Sequence, residues 1–229
     1  MRRWRKVFAG AVAALLASGA AAQVSGSVSV LSDYRFRGVS FSAGDPAVQV
    51  DANYDAANGG YAGALASNVK FDTYPGLNRQ VLAYGGYARR IGPEFGVDAG
   101  ASYAAFAAGG DFDYLEVHAG VTARAINVLI AFAPRYFGQG SATYVELNGG
   151  AELCPSLRLF GHVGVLYARP EAARRNSSMH ADGRLGLRFE RQGFSAQLSR
   201  VAVSRVSDIY PGGATGDRSA WVLQATQSF

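Results

Sequence analysis

Two alternating series of ionisable side chains are the first place to look for chemistry. Acids at Asp33, Asp51, Asp55, Asp98, Glu116, Glu146, Glu152, Asp182 and Glu190 accompany bases at Arg35, Arg37, Lys70, Arg135, Arg158, Arg184 and Arg188. The three histidines are His118, His162 and His180. Catalysis needs such groups in a constellation, and the spacing supplies none. His118 follows Glu116 by two residues, but i, i+2 neighbours on a strand lie about 7 Å apart, beyond direct bonding. No neighbourhood suggests an activated serine. His180, close to Arg174 and Arg175, reads as a solvated loop residue rather than a metal ligand. Cys154 is the single cysteine, which excludes an intramolecular disulfide and a Cys-rich metal cluster. Gly pairs such as Gly85-Gly86 and Gly149-Gly150 open no helix, so no phosphate cradle is expected. The sequence predicts no enzyme, no cofactor and no metal.

What must position these charges is a chain of 229 residues, 49% hydrophobic and only 17% charged, with 29 Gly. Average usage is about 25% charged and about 7% Gly. Arg2, Arg3, Arg5 and Lys6 precede an apolar stretch, Val7 to Leu16, and the small residues Ala17 to Ala22. That order is a secretory signal peptide over 1–22, with 23–229 as a single domain. Setting those four bases aside leaves 18 basic against 17 acidic residues, so the basic balance does not point to nucleic acid.

From Gln23 onward the pattern has period two. Val48, Val50, Ala52 and Tyr54 alternate with Gln49, Asp51, Asn53 and Asp55. Successive strand side chains point to opposite sides, so each such segment carries one apolar and one polar face. Twelve strands are expected, within a range of ten to fourteen: 24–36, 48–55, 60–71, 79–90, 94–106, 112–123, 126–137, 142–153, 156–168, 180–190, 193–204 and 218–229. Most are longer than soluble strands and near the 9–11 residues that cross a bilayer at a tilt. Short turns at 56–59, 91–93, 124–125, 154–155 and 191–192 alternate with mostly longer loops at 38–45, 73–78, 170–179 and 205–217. Outer-membrane barrels segregate their connections in this way and have an even strand number. The expected fold is all-β: one closed antiparallel transmembrane barrel in the bacterial outer membrane. Aromatics near strand ends, Tyr34, Phe36, Phe71, Tyr136 and Tyr167, are expected at the membrane interfaces. Phe229, in phase with Trp221 and Leu223, resembles the signal by which the barrel-assembly machinery recognises its clients.

The run Ser32-Asp33-Tyr34-Arg35-Phe36-Arg37-Gly38, followed by Ser40, Pro46-Ala47-Val48-Gln49, Tyr61-Ala62-Gly63 and Ala66-Ser67-Asn68-Val69, resembles the proteobacterial Gcw_chp family of TorF-type porins. The similarity is strongest over 24–72 and continues weakly through Glu116, Ala131 to Gly138 and the last strand. Ala133-Pro134-Arg135-Tyr136-Phe137 departs from the family's frequent Ser-Pro-Asp-Tyr by placing Arg135 where an acid stands. The resemblance implies an outer-membrane barrel with a transport role and supplies no catalytic residue.

With the apolar faces toward lipid, the expected pore-lining residues are Asp33, Arg35, Arg37, Asp51, Lys70, Glu116, Arg135, Glu146, Arg158, Asp182, Arg184 and Arg188. Twelve tilted strands enclose a cylinder roughly 24 Å across, which side chains narrow to roughly 10 Å or less. That suits passive diffusion of small hydrophilic solutes. Two arrangements stay open. Acids and bases can pair and partly plug the lumen, or Arg35, Arg37, Arg184 and Arg188 can form a ladder for anions. A non-conducting structural or recognition barrel, working through its loops, is the alternative. Arg169, Arg174 and Arg175 make the 170–179 loop basic, so lipid and lipopolysaccharide phosphates are natural contacts.

Overall fold

The computed structural model describes residues 23–107, 110–170, 178–204, 210 and 218–229. The expected signal peptide at 1–22 and most of the loops at 170–179 and 205–217 lie outside the described residues. The chain opens with β1 (Gln23–Leu31) and a short pair, β2 (Arg35–Phe36) and β3 (Val39–Ser40). Next come β4 (Ala47–Asp55), β5 (Gly60–Asn68), β6 (Arg79–Ile91), β7 (Phe95–Phe106), β8 (Tyr114–Ala123) and β9 (Ile126–Ala133). The rest are β10 (Gly140–Cys154), β11 (Leu157–Pro170), β12 (Ser178–Arg191), β13 (Phe194–Val203) and β14 (Ser219–Ser228). All but β2 and β3 form one closed barrel of twelve strands, each antiparallel to its neighbours.

Closure joins the ends of the described chain. β1 pairs β4 on one side and β14 on the other, in the register Ser27↔Ser228. Phe229 and Gly26 exchange both backbone hydrogen bonds at 3.0 Å. The Phe229 ring covers Gly26, where a Cβ would come within 2.7 Å of it.

The period-two pattern sets the two faces. In β9, Ile126, Val128, Ile130 and Phe132 are exposed, while Asn127, Leu129, Ala131 and Ala133 point inward and are buried. Val48, Val50, Leu115, Val117, Leu185, Leu187 and Leu223 continue that exposed apolar skin around the ring. An apolar exterior with every strand paired on both sides is what a bilayer demands of a sheet. The chain is therefore a transmembrane barrel of the outer-membrane type. Turns at 56–59, 92–94, 124–125, 155–156 and 192–193 mark one end, and longer connections mark the other. By the rule for such barrels, the long-loop end faces outward.

Two strands stop four or more residues short of their expected limits. Alternation carries the sequence pattern from Val24 to Phe36, but β1 ends at Leu31. It runs from Ile126 to Phe137, but β9 ends at Ala133. In both places the chain leaves the wall and turns inward. Pro134, which has no N–H for a ladder bond, follows β9 directly.

Candidate functional site

β2 and β3 form a two-residue hairpin, with Phe36 opposite Val39 and Arg35 opposite Ser40. Its central residues Arg37 and Gly38 have φ of 49° and 80°. Positive φ at both positions is the geometry of a type I′ turn, whose twist suits an antiparallel pair. Asp33 stitches the base of the hairpin. Its Oδ2 accepts from Arg35 Nε at 2.6 Å, and its Oδ1 accepts from Ser40 Oγ at 2.5 Å and Ser42 Oγ at 3.2 Å.

Contacts to strands far round the ring place this hairpin inside the barrel. Tyr34 Oη donates to Gln80 on β6 at 3.0 Å. A Cβ on Gly38 would meet Asp182 of β12 at 2.8 Å and Val203 of β13 at 2.9 Å. Arg37 reaches β8: its Nη2 lies 2.8 Å from both Glu116 carboxylate oxygens, and its Nη1 donates to Tyr136 Oη at 3.0 Å. The guanidinium also lies 4.0 Å from the Tyr144 ring centre. Its side chain is only 7% exposed and that of Glu116 13%. Burial works against the Arg37 charge, but Glu116 raises its pKa well above the ordinary guanidinium value, so the guanidinium stays charged. Burial also pushes the Tyr136 phenol up to about 12, with Arg37 pulling the other way, so that hydroxyl keeps its proton.

The hairpin brings an apolar cluster with it. Phe41 is fully buried, and its ring lies within 6.4 Å of the rings of Tyr34, Phe36, Phe71, Phe106, Phe137 and Tyr210. Phe137 and Tyr136, in the 3-10 turn Tyr136–Gly138 after β9, are equally buried. Ala131, Ala133, Ala142, Leu166 and Ala168 of the inner wall complete the packing. Small wall residues leave room for inserted rings, and the outer half of the lumen is filled as a protein core is filled.

Toward the short-turn end the interior is polar instead. His118 Nε2 lies 2.9 Å from Asp98 Oδ1 and 3.1 Å from Tyr61 Oη. His162 Nε2 lies 3.0 Å from both Asp182 Oδ1 and Tyr144 Oη, and its Nδ1 lies 2.7 Å from Asn148 Oδ1. Tyr84 donates to Asn53 and Asp51. These tyrosines lie flat along the wall over glycines of neighbouring strands. A Cβ on Gly164 would overlap the Tyr144 hydroxyl, and one on Gly86 that of Tyr61. Arg184 Nε donates to Ser199 Oγ at 3.0 Å, and Arg188 Nη2 to Gln197 Oε1 at 2.7 Å. Both guanidinium groups lie against Phe160, 5.7 and 5.1 Å from its ring centre.

A family model described as a bacterial protein of unknown function, Gcw_chp, matches residues 16–229. The chain belongs to that family. No curated protein matches it. Among solved structures it is similar to the KdgM porin, with a TM-score of 0.58 at 10% identity, covering 90% of this chain and 99% of that one. It is similar to the NanC porin, with a TM-score of 0.57 at 10% identity, over 90% of this chain and 99% of that chain. It is also similar to the COG4313 outer membrane channel from Pseudomonas putida F1, with a TM-score of 0.53 at 12% identity, over 94% and 97%. At such identity the likeness is one of fold.

For this Gcw_chp barrel, the structure sorts the twelve expected pore-lining residues into three groups. Asp51, Glu116, Glu146, Arg158, Asp182, Arg184 and Arg188 stand on strands with their side chains on the inner face. Asp33, Arg35 and Arg37 are inside the barrel but on the inserted hairpin, which corrects their assignment to the wall of a first strand. Lys70 and Arg135 are corrected further. Lys70 is 57% exposed and pairs with Asp45 at 2.6 Å, beyond the end of β5. Arg135 is exposed because the chain turns after Ala133. The interior holds the acid–base pairs Arg37–Glu116, between hairpin and wall, and Arg35–Asp33, within the hairpin segment. The ladder of four arginines is split, since Arg35 and Arg37 are tied to acids, Arg184 bonds the neutral Ser199, and Arg188 bonds Gln197 with Glu190 3.8 Å away. Four of the five expected interface aromatics, Tyr34, Phe36, Phe71 and Tyr136, belong to the internal cluster, and Tyr167 alone faces outward. His180 is 1% exposed on β12 beside Tyr210, not a solvated loop residue. Sequence reasoning missed Phe41, Phe137 and Tyr144. The signals that could have found them are the Arg37-Gly38 turn and the glycines on inward positions.

Proposed function

We propose that this barrel is a narrow porin of the bacterial outer membrane, admitting small hydrophilic solutes by passive diffusion, with the hairpin at its outer end as the gate. One observation carries the reading: ionisable side chains line the inner face on strands spread round the ring, from Asp51 on β4 through Asp98 on β7 to Arg184 and Arg188 on β12. Charges in a dry interior each cost several kcal/mol, roughly, so such a lining favours contact with water. The similar KdgM porin has been solved in complex with disordered oligogalacturonate. Arg184 and Arg188, bonded to Ser199 and Gln197, carry positive charge toward the lumen and suit an anionic solute of that kind. Lipid surrounds the apolar skin, lipopolysaccharide meets the outer rim, and the assembly machinery engages the last strand through Phe229.

The fully buried Phe41 and Phe137 favour a second reading, a non-conducting barrel that works through its loops. Single-channel recording separates the two. The full chain, expressed in a Gram-negative host and purified from its membranes, is placed in a planar bilayer under a salt gradient. The porin reading expects rare steps in the parent protein, frequent steps in Phe41→Ala, and a reversal potential of anion sign. Folded Phe41→Ala barrels with no steps would leave the recognition barrel standing.

A further inference from the structure

The hairpin is held by more than packing. Glu116 presents both carboxylate oxygens to one guanidinium nitrogen, Tyr136 presents a hydroxyl oxygen to another, and the Tyr144 ring covers the group at 4.0 Å. Phe36 and Tyr136 add ring contacts, 4.9 and 5.4 Å from the guanidinium carbon. Tyr144 donates its own proton to Asp182, at 3.0 Å to Oδ2, which makes its ring a better partner for a cation. A carboxylate, a hydroxyl acceptor and aromatic faces gathered around one planar cation constitute a guanidinium receptor. Every receptor group except Phe36 belongs to the barrel or to the turn after β9, so the receptor persists when the hairpin leaves.

We propose that Glu116, Tyr136 and Tyr144 form a binding site for guanidinium-type cations, that Arg37 occupies it as a tethered ligand, and that a free alkylguanidinium entering from outside competes for it and holds the hairpin out. The tethered arginine has the advantage of proximity. A short tether supplies an effective concentration of about millimolar or above, so a free competitor acts only in that range. Arg37 also sits at positive φ, a backbone conformation unfavourable to an L-residue, which tilts the balance toward release. The aromatic face, with a carboxylate on one nitrogen and a hydroxyl oxygen on the other, selects a flat, forked guanidinium over a compact ammonium. The binding claim is independent of conduction; only its gating consequence rests on the porin reading.

The test is rescue of Arg37→Ala. The purified variant, its folding checked by heat-modifiable gel migration, is titrated with methylguanidinium and, at equal ionic strength, with methylammonium. Concentrations stay at about 1–20 mM, the order of the effective concentration at which the parent protein presents Arg37 to the site, and far below denaturing levels. The site predicts that methylguanidinium raises the thermal midpoint of Arg37→Ala by several degrees and saturates, that methylammonium does much less, and that adding Glu116→Gln abolishes the effect. Equal responses to both cations, or an unchanged response with Glu116→Gln, would overturn it. If Arg37→Ala does not fold, Arg37→Gln keeps the stem and is titrated in the same way. Thermal rescue in a barrel that never conducts would remove the porin reading and keep the cation site. Conduction without thermal rescue would keep the porin and remove the site.

Discussion

The outer half of the barrel interior is packed like a core, with Phe41, Tyr136 and Phe137 fully buried among other rings. The inner half is tied like a net, with His118, His162, Arg184 and Arg188 each bonded to neighbours along the wall. Both halves use the same twelve strands. What differs is inserted chain. From a ring roughly 24 Å across, side chains reach adjacent strands more readily than the axis. Filling the axis takes backbone, and inserted backbone must pair its own polar groups. The hairpin does so by pairing β2 with β3, by Phe41 N–H to Tyr34 O at 2.6 Å, and by Lys70 N–H to Phe41 O at 2.7 Å. A charged wall without inserted chain leaves the axis to water.

That contrast can be broken most directly at Phe41. Phe41→Ala removes the ring on which six others converge and is expected to cost about 3–5 kcal/mol. Tyr61→Phe, which removes a single hydroxyl from the inner net, is expected to cost about 1 kcal/mol. Equilibrium unfolding of the two variants measures the difference, and equal costs would mean that the halves are not distinct. Glu116→Gln comes next. Removing the acid strands Arg37 among rings, at a cost of roughly 3 kcal/mol, and should loosen the outer half alone. Hydrogen exchange at the Phe41 and Lys70 amides would report the loosening, while inner-wall amides stay protected.

Gly164→Ala joins the two halves. Its methyl would displace Tyr144 from Asp182 and His162 below and from Arg37 above, an overpacking worth about 1–3 kcal/mol. Protection should fall in both halves, and a loss confined to one would show that Tyr144 does not couple them. Lys70→Ala is the smallest change. Its ion pair with Asp45 is more than half exposed on both sides, so no measurable loss of stability is expected and neither half should respond.

The wall was legible in the sequence because strand side chains alternate and lipid enforces the alternation on every strand. Val48 to Asp55 and Ile126 to Ala133 could be placed with their faces from residue types alone. β6 shows the limit of this. Val81 and Ala83 compete with Leu82 and Tyr84 for the outer face, and pairing with β5 and β7 sends Leu82 and Tyr84 inward. The plug was not legible. Tyr34 and Phe36 alternate with Asp33 and Arg35 as a lipid-facing strand would, so periodicity extended β1 through them. A hairpin inside a barrel obeys the same alternation, with one face toward rings and the other toward charges.

The sequence by itself determined that this is a closed, apolar-skinned barrel with a charged interior, because those properties follow from residue type at period two. It also determined which strand faces carry Asp51, Glu116, Asp182 and Arg184. Only the tertiary structure decided that Arg37 crosses to Glu116 and that Phe41 becomes the centre of a core. Arg37 and Glu116 are 79 residues apart, and Glu116 stands on β8, five strands round the ring from the β1 that leads into the hairpin. Closing the barrel is what brings them within 2.8 Å. No local pattern encodes a distance that twelve strands must cooperate to set.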